Sequence, residues 1–201
     1  SDVYKRQDPH SGVATPDFLR RWSHPADGAA TLPIGLALFD VAELDSAAMR
    51  ADDRASYFAA HQVAAALGQP LAAVDAVVRL SAREFLVVVP GASDRHLAGL
   101  CDRIGEQLEL ASHGYPGISL RARTASTVTR TRPLPVGDLH ESLARLGSSP
   151  GPVDAGQNPA GDRIIVSSTA LHEPDRWAGP IPAQASPATA RRPAPGSPAL
   201  D

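Results

Sequence analysis

The sequence predicts an α+β domain, with elements in the order helix, strand, helix, hairpin, helix, strand, helix, strand. Three observations carry that prediction. Val77 to Gly91 holds two aliphatic, β-branched runs around the small polar group Ser81-Ala82-Arg83, and Pro90-Gly91 stops the second run, the pattern of a β-hairpin in a buried sheet. Ile34 to Phe39 is apolar on both faces, as in a central strand. Other stretches place apolar residues at helical spacing, among them Ala59, Val63 and Leu67, and then Leu97, Leu100, Ile104 and Leu108.

Length and composition bound what such a domain does. The chain has 201 residues, 43% hydrophobic but only 4% aromatic, which suits one core and a tail. A net charge of −3 argues against the broad basic surface of a nucleic-acid binder. The lone Cys101 has no partner for an internal disulfide and lies in a helical stretch, where it reads as a small buried hydrophobe. A lone cysteine fits a reducing cytoplasm, so the expected location is the cytoplasm or the cytoplasmic part of a longer protein, and no apolar run here approaches the ~18 residues that span a bilayer. Residues 1–7 include Asp2-Val3-Tyr4-Lys5-Arg6-Gln7, which reads like a translated sequencing adapter; on that reading the native protein extends upstream.

Taken in order, Thr15 caps a short amphipathic helix with Pro16 at its first position and Phe18, Leu19 and Trp22 on one face. Ser23 to Thr31 is a polar loop, then the strand from Ile34 ends at Asp40. A helix runs over 52–68, stopped by Gly68 with Pro70 beyond. After the hairpin, Ser93 or Asp94 caps the next helix, on which His96 reads as a surface or partly buried residue. His113 to Gly117 is a turn cluster. Ile118 to Thr129 alternates, with Ile118, Leu120, Ala122 and Thr124 on one side and Ser119, Arg121 and Arg123 on the other. That fits a half-exposed edge strand, whose bases Arg121, Arg123, Arg130 and Arg132 read as solvating charges rather than as an anion patch. Asp138 and Glu141 read as a capping box opening a helix with Leu139, Leu143 and Leu146, closed by Gly147. Residues 148–160 read as a loop insertion, Arg163 to Val166 as a closing strand, and 168–201 as a Pro/Ala-rich disordered tail.

The stretch Arg79-Leu80-Ser81-Ala82-Arg83-Glu84-Phe85 resembles the signature hairpin of the GGDEF family, the diguanylate cyclases: arginine, any residue, Gly-Gly-Asp/Glu-Glu-Phe, then a hydrophobic strand. Arg79, Glu84 and Phe85 keep their places, whereas Ser81, Ala82 and Arg83 stand for the two glycines and the acid. Asp8, Ser11 and Gly12 resemble the family's opening Asp-x-Leu-Thr-Gly-Leu-x-Asn-Arg segment, with His10, Val13, Thr15 and Pro16 altered, and Thr124-Ala125-Ser126 resembles its Thr-x-Ser strand. The resemblance spans 8–167 and implies a mostly antiparallel sheet flanked by helices, of the ferredoxin-like, palm type shared with nucleotide cyclases.

The same resemblance assigns positions. Asp40 falls at the family's first metal-binding aspartate, which leaves it readable as a metal ligand or as a plain strand-end acid or helix cap. Asp45 stands where a lysine contacts phosphate, Ala48 where an asparagine reads guanine, and Tyr57 where a second guanine-binding aspartate is expected; Tyr57 reads instead as a packing residue. Ala72 and Asp75 occupy the Arg-x-x-Asp product-inhibition site, without the arginine fork that would grip cyclic di-GMP. The family's triphosphate-binding lysine is missing, and Arg163 is the substitute for its arginine.

An active cyclase would join two GTP molecules with Mg²⁺ ions at each site. Arg83 puts a fixed cation where an anionic ligand is needed, and at ~4 Å it would repel a divalent ion by several kcal/mol even at an effective dielectric near 20. Ser81 and Ala82 crowd a turn that paired glycines leave open, and Arg83 is placed to pair with Asp40 and fill the metal site. The resemblance therefore implies a catalytically inactive GGDEF-like domain, with Asp40 and Glu84 vestigial and no cofactor. It would serve as a regulatory or protein-interaction module in bacterial nucleotide signalling, through a homodimer, a protein partner, or binding of GTP or another nucleotide without turnover. Two alternatives stay open: residual cyclase or nucleotide-binding activity using Asp40 and Glu84, with Mg²⁺, and a purely structural domain without ligand.

Overall fold

The computed structural model describes residues 13–19, 32–73, 75–113, 120–146 and 153–168. Residues 1–12, and with them Asp8, His10, Ser11 and Gly12, lie outside the described residues, as do Trp22, Gly114 to Ser119, Gly147 and 169–201, which hold nearly all of the predicted tail.

The apolar run opening at Ile34 becomes β1 (Ile34–Asp40), buried at every position. Such a strand needs a partner on each edge and a layer on each face. It pairs antiparallel with β3 (Glu84–Pro90) on one side and β4 (Arg123–Thr129) on the other. β2 (Ala76–Arg79) completes the predicted hairpin with β3. With β5 (Val153–Gln157) and β6 (Arg163–Ser168) the sheet has six strands in the order β2-β3-β1-β4-β6-β5, and every neighbouring pair is antiparallel. The predicted α+β class and its antiparallel sheet are what the protein has.

Helices cover both faces. A 3-10 turn (Ala42–Asp45) leads from β1 into α1 (Ala47–Ala51), capped by Ser46, whose Oγ accepts from Met49 N at 3.3 Å. Asp52 interrupts the helix and caps α2 (Asp53–Gly68), accepting from Arg54 N and Ala55 N at 3.0 and 3.1 Å. α3 (Asp94–His113) is capped by Ser93, which accepts from His96 N at 3.2 Å. Side chains alternate across a strand, so Ala37, Phe39, Phe85, Val87 and Val89 face α2 and α3, meeting Val63, Leu67, Leu97, Leu100, Ile104 and Leu108. Ile34, Leu36, Leu38, Leu86, Val88 and Ala125 face the other way, onto Leu139 and Leu143 of α4 (Val136–Leu146). Gly35 lets α3 and the residues just before it approach: a Cβ there would meet the Ala92 Cβ at 2.7 Å and Cδ1 of Leu97 in α3 at 3.1 Å.

Several expectations are corrected. β4 is an interior strand between β1 and β6, not a half-exposed edge. The stretch 148–160 is not all loop, because Val153–Gln157 pairs with β6. This outer strand carries a bulge between Asp154 and Gly156, the latter at φ 92, and has no aliphatic run that would announce it. Asp138 does not open its helix: α4 begins at Val136, and Asp138 instead offers its carbonyl to Ser142 Oγ at 2.8 Å. The described part of the first predicted helix is a 3-10 turn, Pro16–Leu19. Tyr57 is 48% exposed rather than packed in a core. Ser168, assigned to the tail, still belongs to β6.

Candidate functional site

Pairing register brings the candidate residues together at one end of the sheet. Asp40 ends β1 opposite Glu84, the first residue of β3, and opposite Arg123, the first residue of β4. Residues paired across an antiparallel ladder share a face, so all three stand on the α4 side. The Arg83 carbonyl accepts from Val41 N at 2.9 Å, which ties the hairpin turn to the end of β1.

Asp40 is only 3% exposed, and both of its oxygens are engaged. Arg83 donates from Nε to Oδ1 and from Nη2 to Oδ2, a side-on fork, and Arg123 donates from Nη2 to Oδ2. Burial alone would push the Asp40 carboxyl upward, but the hydrogen bonds and charges of Arg83 and Arg123 outweigh it and hold the group below the ordinary carboxylate range. The same contact raises the Arg83 guanidinium above its ordinary value. Arg123 also donates from Nη1 to the Leu143 carbonyl of α4, a long contact at 3.4 Å.

The turn is built by the residues that replace the glycines. Ser81 Oγ accepts from Glu84 N at 3.2 Å and donates to Glu84 Oε2 at 2.8 Å. Arg79 braces it from the other side, donating from Nε to Ser81 O at 3.0 Å and from Nη2 to Ala82 O at 2.9 Å, with its guanidinium 5.6 Å from the centroid of Phe85. Glu84 Oε1 lies 3.2 Å from Nε2 of His140 on α4, whose Nδ1 donates to the Val136 carbonyl at 3.0 Å. Glu84 thus joins the turn to α4.

The remaining predicted positions do other work. Asp45 ends the 3-10 turn with its carboxylate 3.4 Å from Arg50, and Ala48 is exposed on α1. Asp75 accepts from Ala72 N at 2.8 Å, a local turn between the two residues of the inhibitory position. Arg163 does not reach the site: it opens β6 and donates to Asp154 at 2.7 Å, whereas Ser168 at the other end of β6 pairs with Arg123, about 16 Å away along the strand. Arg123 and His140 are the residues that sequence reasoning missed. The signal for Arg123 was the Thr-x-Ser match beside it, which, read as a strand paired with β1, puts Arg123 opposite Asp40.

The donor set does not fit the divalent cation that the resemblance implies. Both oxygens of its first ligand accept from guanidinium groups, and the neighbouring ligand position carries Arg83. Among the described residues no group of three His, Cys, Asp or Glu is placed to hold a metal ion.

Neither a protein-family model nor a curated protein matches the chain. Solved structures do, and they are GGDEF domains. The diguanylate cyclase SiaD of Pseudomonas aeruginosa, in complex with its activator SiaC, superposes with a TM-score of 0.60 at 16% identity over 71% of this chain and 59% of that one. A sensory box/GGDEF family protein of Caulobacter crescentus gives 0.55 at 21% identity, over 70% and 96%. The S helix-GGDEF-EAL portion of Vibrio cholerae LapD, bound to c-di-GMP, gives 0.52 at 13%, over 71% and 34%. The chain has a GGDEF-like fold, and it spans about a third of the LapD chain and under two thirds of SiaD. Among the described residues no helix is long and apolar enough to cross a membrane.

Proposed function

We propose that this chain is a GGDEF-like domain without cyclase activity, acting in the cytoplasm as a regulatory or protein-interaction module of nucleotide signalling. One observation carries the reading: the carboxylate at the end of β1, where the fold's cyclases would hold metal, is neutralised by Arg83 and Arg123. A two-cation phosphoryl-transfer mechanism needs that carboxylate free. Coulomb repulsion between Arg83 and a divalent ion ~4 Å away amounts to about 8 kcal/mol at an effective dielectric near 20, before the lost ligand is counted.

A module of this kind works through contacts rather than turnover. SiaD is seen with a protein activator and LapD with c-di-GMP, which supports a protein partner or a nucleotide as its counterpart. Incubating the purified protein with GTP and Mg²⁺ or Mn²⁺, and resolving the products by chromatography, should show no cyclic di-GMP. Product formed in proportion to protein, and abolished by Asp40→Asn, would overturn the reading.

A further inference from the structure

We propose that residues 13–19 are a clasp on the outer edge of β2, and that lifting the clasp releases Arg83 from Asp40 while Arg123 stays in place. The device rests on the reading of Asp40 as held by guanidinium groups and makes one half of that hold conditional. β2 is four residues long and ends the sheet order, paired with β3 on one side only. Ala14 takes up the other side: its N–H donates to the Val77 carbonyl at 3.0 Å, and its own carbonyl accepts from Arg79 N at 2.9 Å, in a single parallel bridge. Side chains on both faces complete the grip. Val13 packs on the cluster that holds Phe39, Phe85 and Val87, whereas Phe18 and Leu19 pack on the one that holds Leu36, Leu86 and Val88, so the segment straddles the sheet edge. Val13, Phe18 and Leu19 are all only partly buried, which puts the clasp among the first parts of the domain to open.

Arg79 is where the clasp meets the turn. Its backbone N–H is held by Ala14, and its guanidinium donates to the carbonyls of Ser81 and Ala82, the two peptide units that lead into Arg83. Those carbonyls set the direction in which Arg83 leaves the turn toward Asp40. When Ala14 lets go, Val77 O and Arg79 N turn to water, the end of a four-residue outer strand frays, and the brace on the turn goes with it. Asp40 does not follow, because β1 is paired on both edges, and Arg123 comes from β4, on the far side of β1 from the hairpin. The opening therefore has a fixed membership: Ala14, Arg79 and Arg83 move together, and the Arg123–Asp40 contact remains.

Hydrogen exchange of the whole chain, followed by NMR at a series of low urea concentrations, tests this. The Ala14 and Arg79 amides and the Arg83 Nε–H should share one opening free energy and one urea dependence, both smaller than those of the Leu38 and Phe39 amides in β1. Ala14→Pro, which removes the N–H given to Val77, should speed exchange at Arg83 Nε about three- to tenfold, the worth of one backbone hydrogen bond. The comparison is made with unmodified protein in enough urea to match the variant's global stability, so that only local opening is read, and there the β4 amides should not change. Arg83 Nε opening together with β1 at global unfolding, opening apart from Ala14 and Arg79, or staying unmoved by Ala14→Pro at matched stability would overturn the clasp. The first two outcomes are read on the unmodified protein, so they stand if the variant fails to fold. An Arg83 Nε that exchanges as fast as an exposed arginine would sink the hold on Asp40 and the clasp with it, whereas protection without joint opening sinks the clasp alone.

Discussion

Replacing Asp40 by Asn probes the Asp40–Arg83–Arg123 cluster most sharply. The carboxylate is buried and accepts from two guanidinium groups, three N–H donors in all. Asparagine keeps one acceptor oxygen and turns an NH₂ toward a guanidinium, so one acceptor is lost and two donors oppose each other. Breaking a fully buried ion pair from one side costs about 3–5 kcal/mol. The arginine heads are roughly a third exposed, so water recovers part of that, and we expect a loss of about 2–3 kcal/mol. For a domain of this size that lowers Tm by roughly 5–10 °C. Urea unfolding followed by circular dichroism measures it, and the double variant with Arg83→Gln should show a coupling of about 1 kcal/mol or more. A loss below about 0.5 kcal/mol, the range of ordinary surface substitutions, would refute the claim that this cluster organises the end of the sheet.

Other outcomes follow from the same geometry. The folded-state pKa of Asp40 is depressed, so its stabilisation is present above its ordinary value of 3.8 and disappears as pH falls through the lower folded value; acid unfolding of the wild type should be steeper there than that of Asp40→Asn. Glu43 has the opposite sign: burial raises its carboxyl above 4.5, and among the described residues Oε2 has no hydrogen-bond partner, so stability falls as pH rises through that window. Glu43→Gln should therefore raise Tm at pH 7 and do nothing well below pH 4.5; a lower Tm at pH 7 would reverse the assignment. Gly35→Ala should cost about 1–3 kcal/mol in urea unfolding, because its Cβ would meet the Ala92 Cβ at 2.7 Å. Restoring Gly-Gly-Asp at Ser81, Ala82 and Arg83 should not by itself restore cyclase activity, because Arg123 still occupies Asp40; product from that triple variant would show Arg123 to be a bystander.

Much of this was legible in the sequence, and the failures have physical reasons. β1 and the hairpin were plain because buried strands are written in unbroken aliphatic residues and the turn in small polar ones. Arg83 was recognisable as a partner of Asp40 because the signature frame places the two positions at one site. Arg123 was misread as a solvated base because alternation reports which residues share a face, not which strand lies alongside. Only the antiparallel register of β4 against β1 puts it opposite Asp40. His140 was hidden for a like reason, since it reaches Glu84 through the packing of α4 on the sheet. β5 escaped because an outer, bulged strand with exposed side chains carries no hydrophobic signature.

The central claim, that guanidinium groups hold Asp40 where a divalent ion would otherwise sit, is tested most directly by titrating Mn²⁺ into isotopically labelled protein and following paramagnetic broadening residue by residue. With Asp40 held by the two arginines, the resonances of Asp40, Val41, Arg83 and Glu84 should broaden no more than those of surface residues elsewhere on the sheet. Selective broadening centred on Asp40 and Glu84 at low Mn²⁺, with displacement of the Arg83 guanidinium signal, would contradict it.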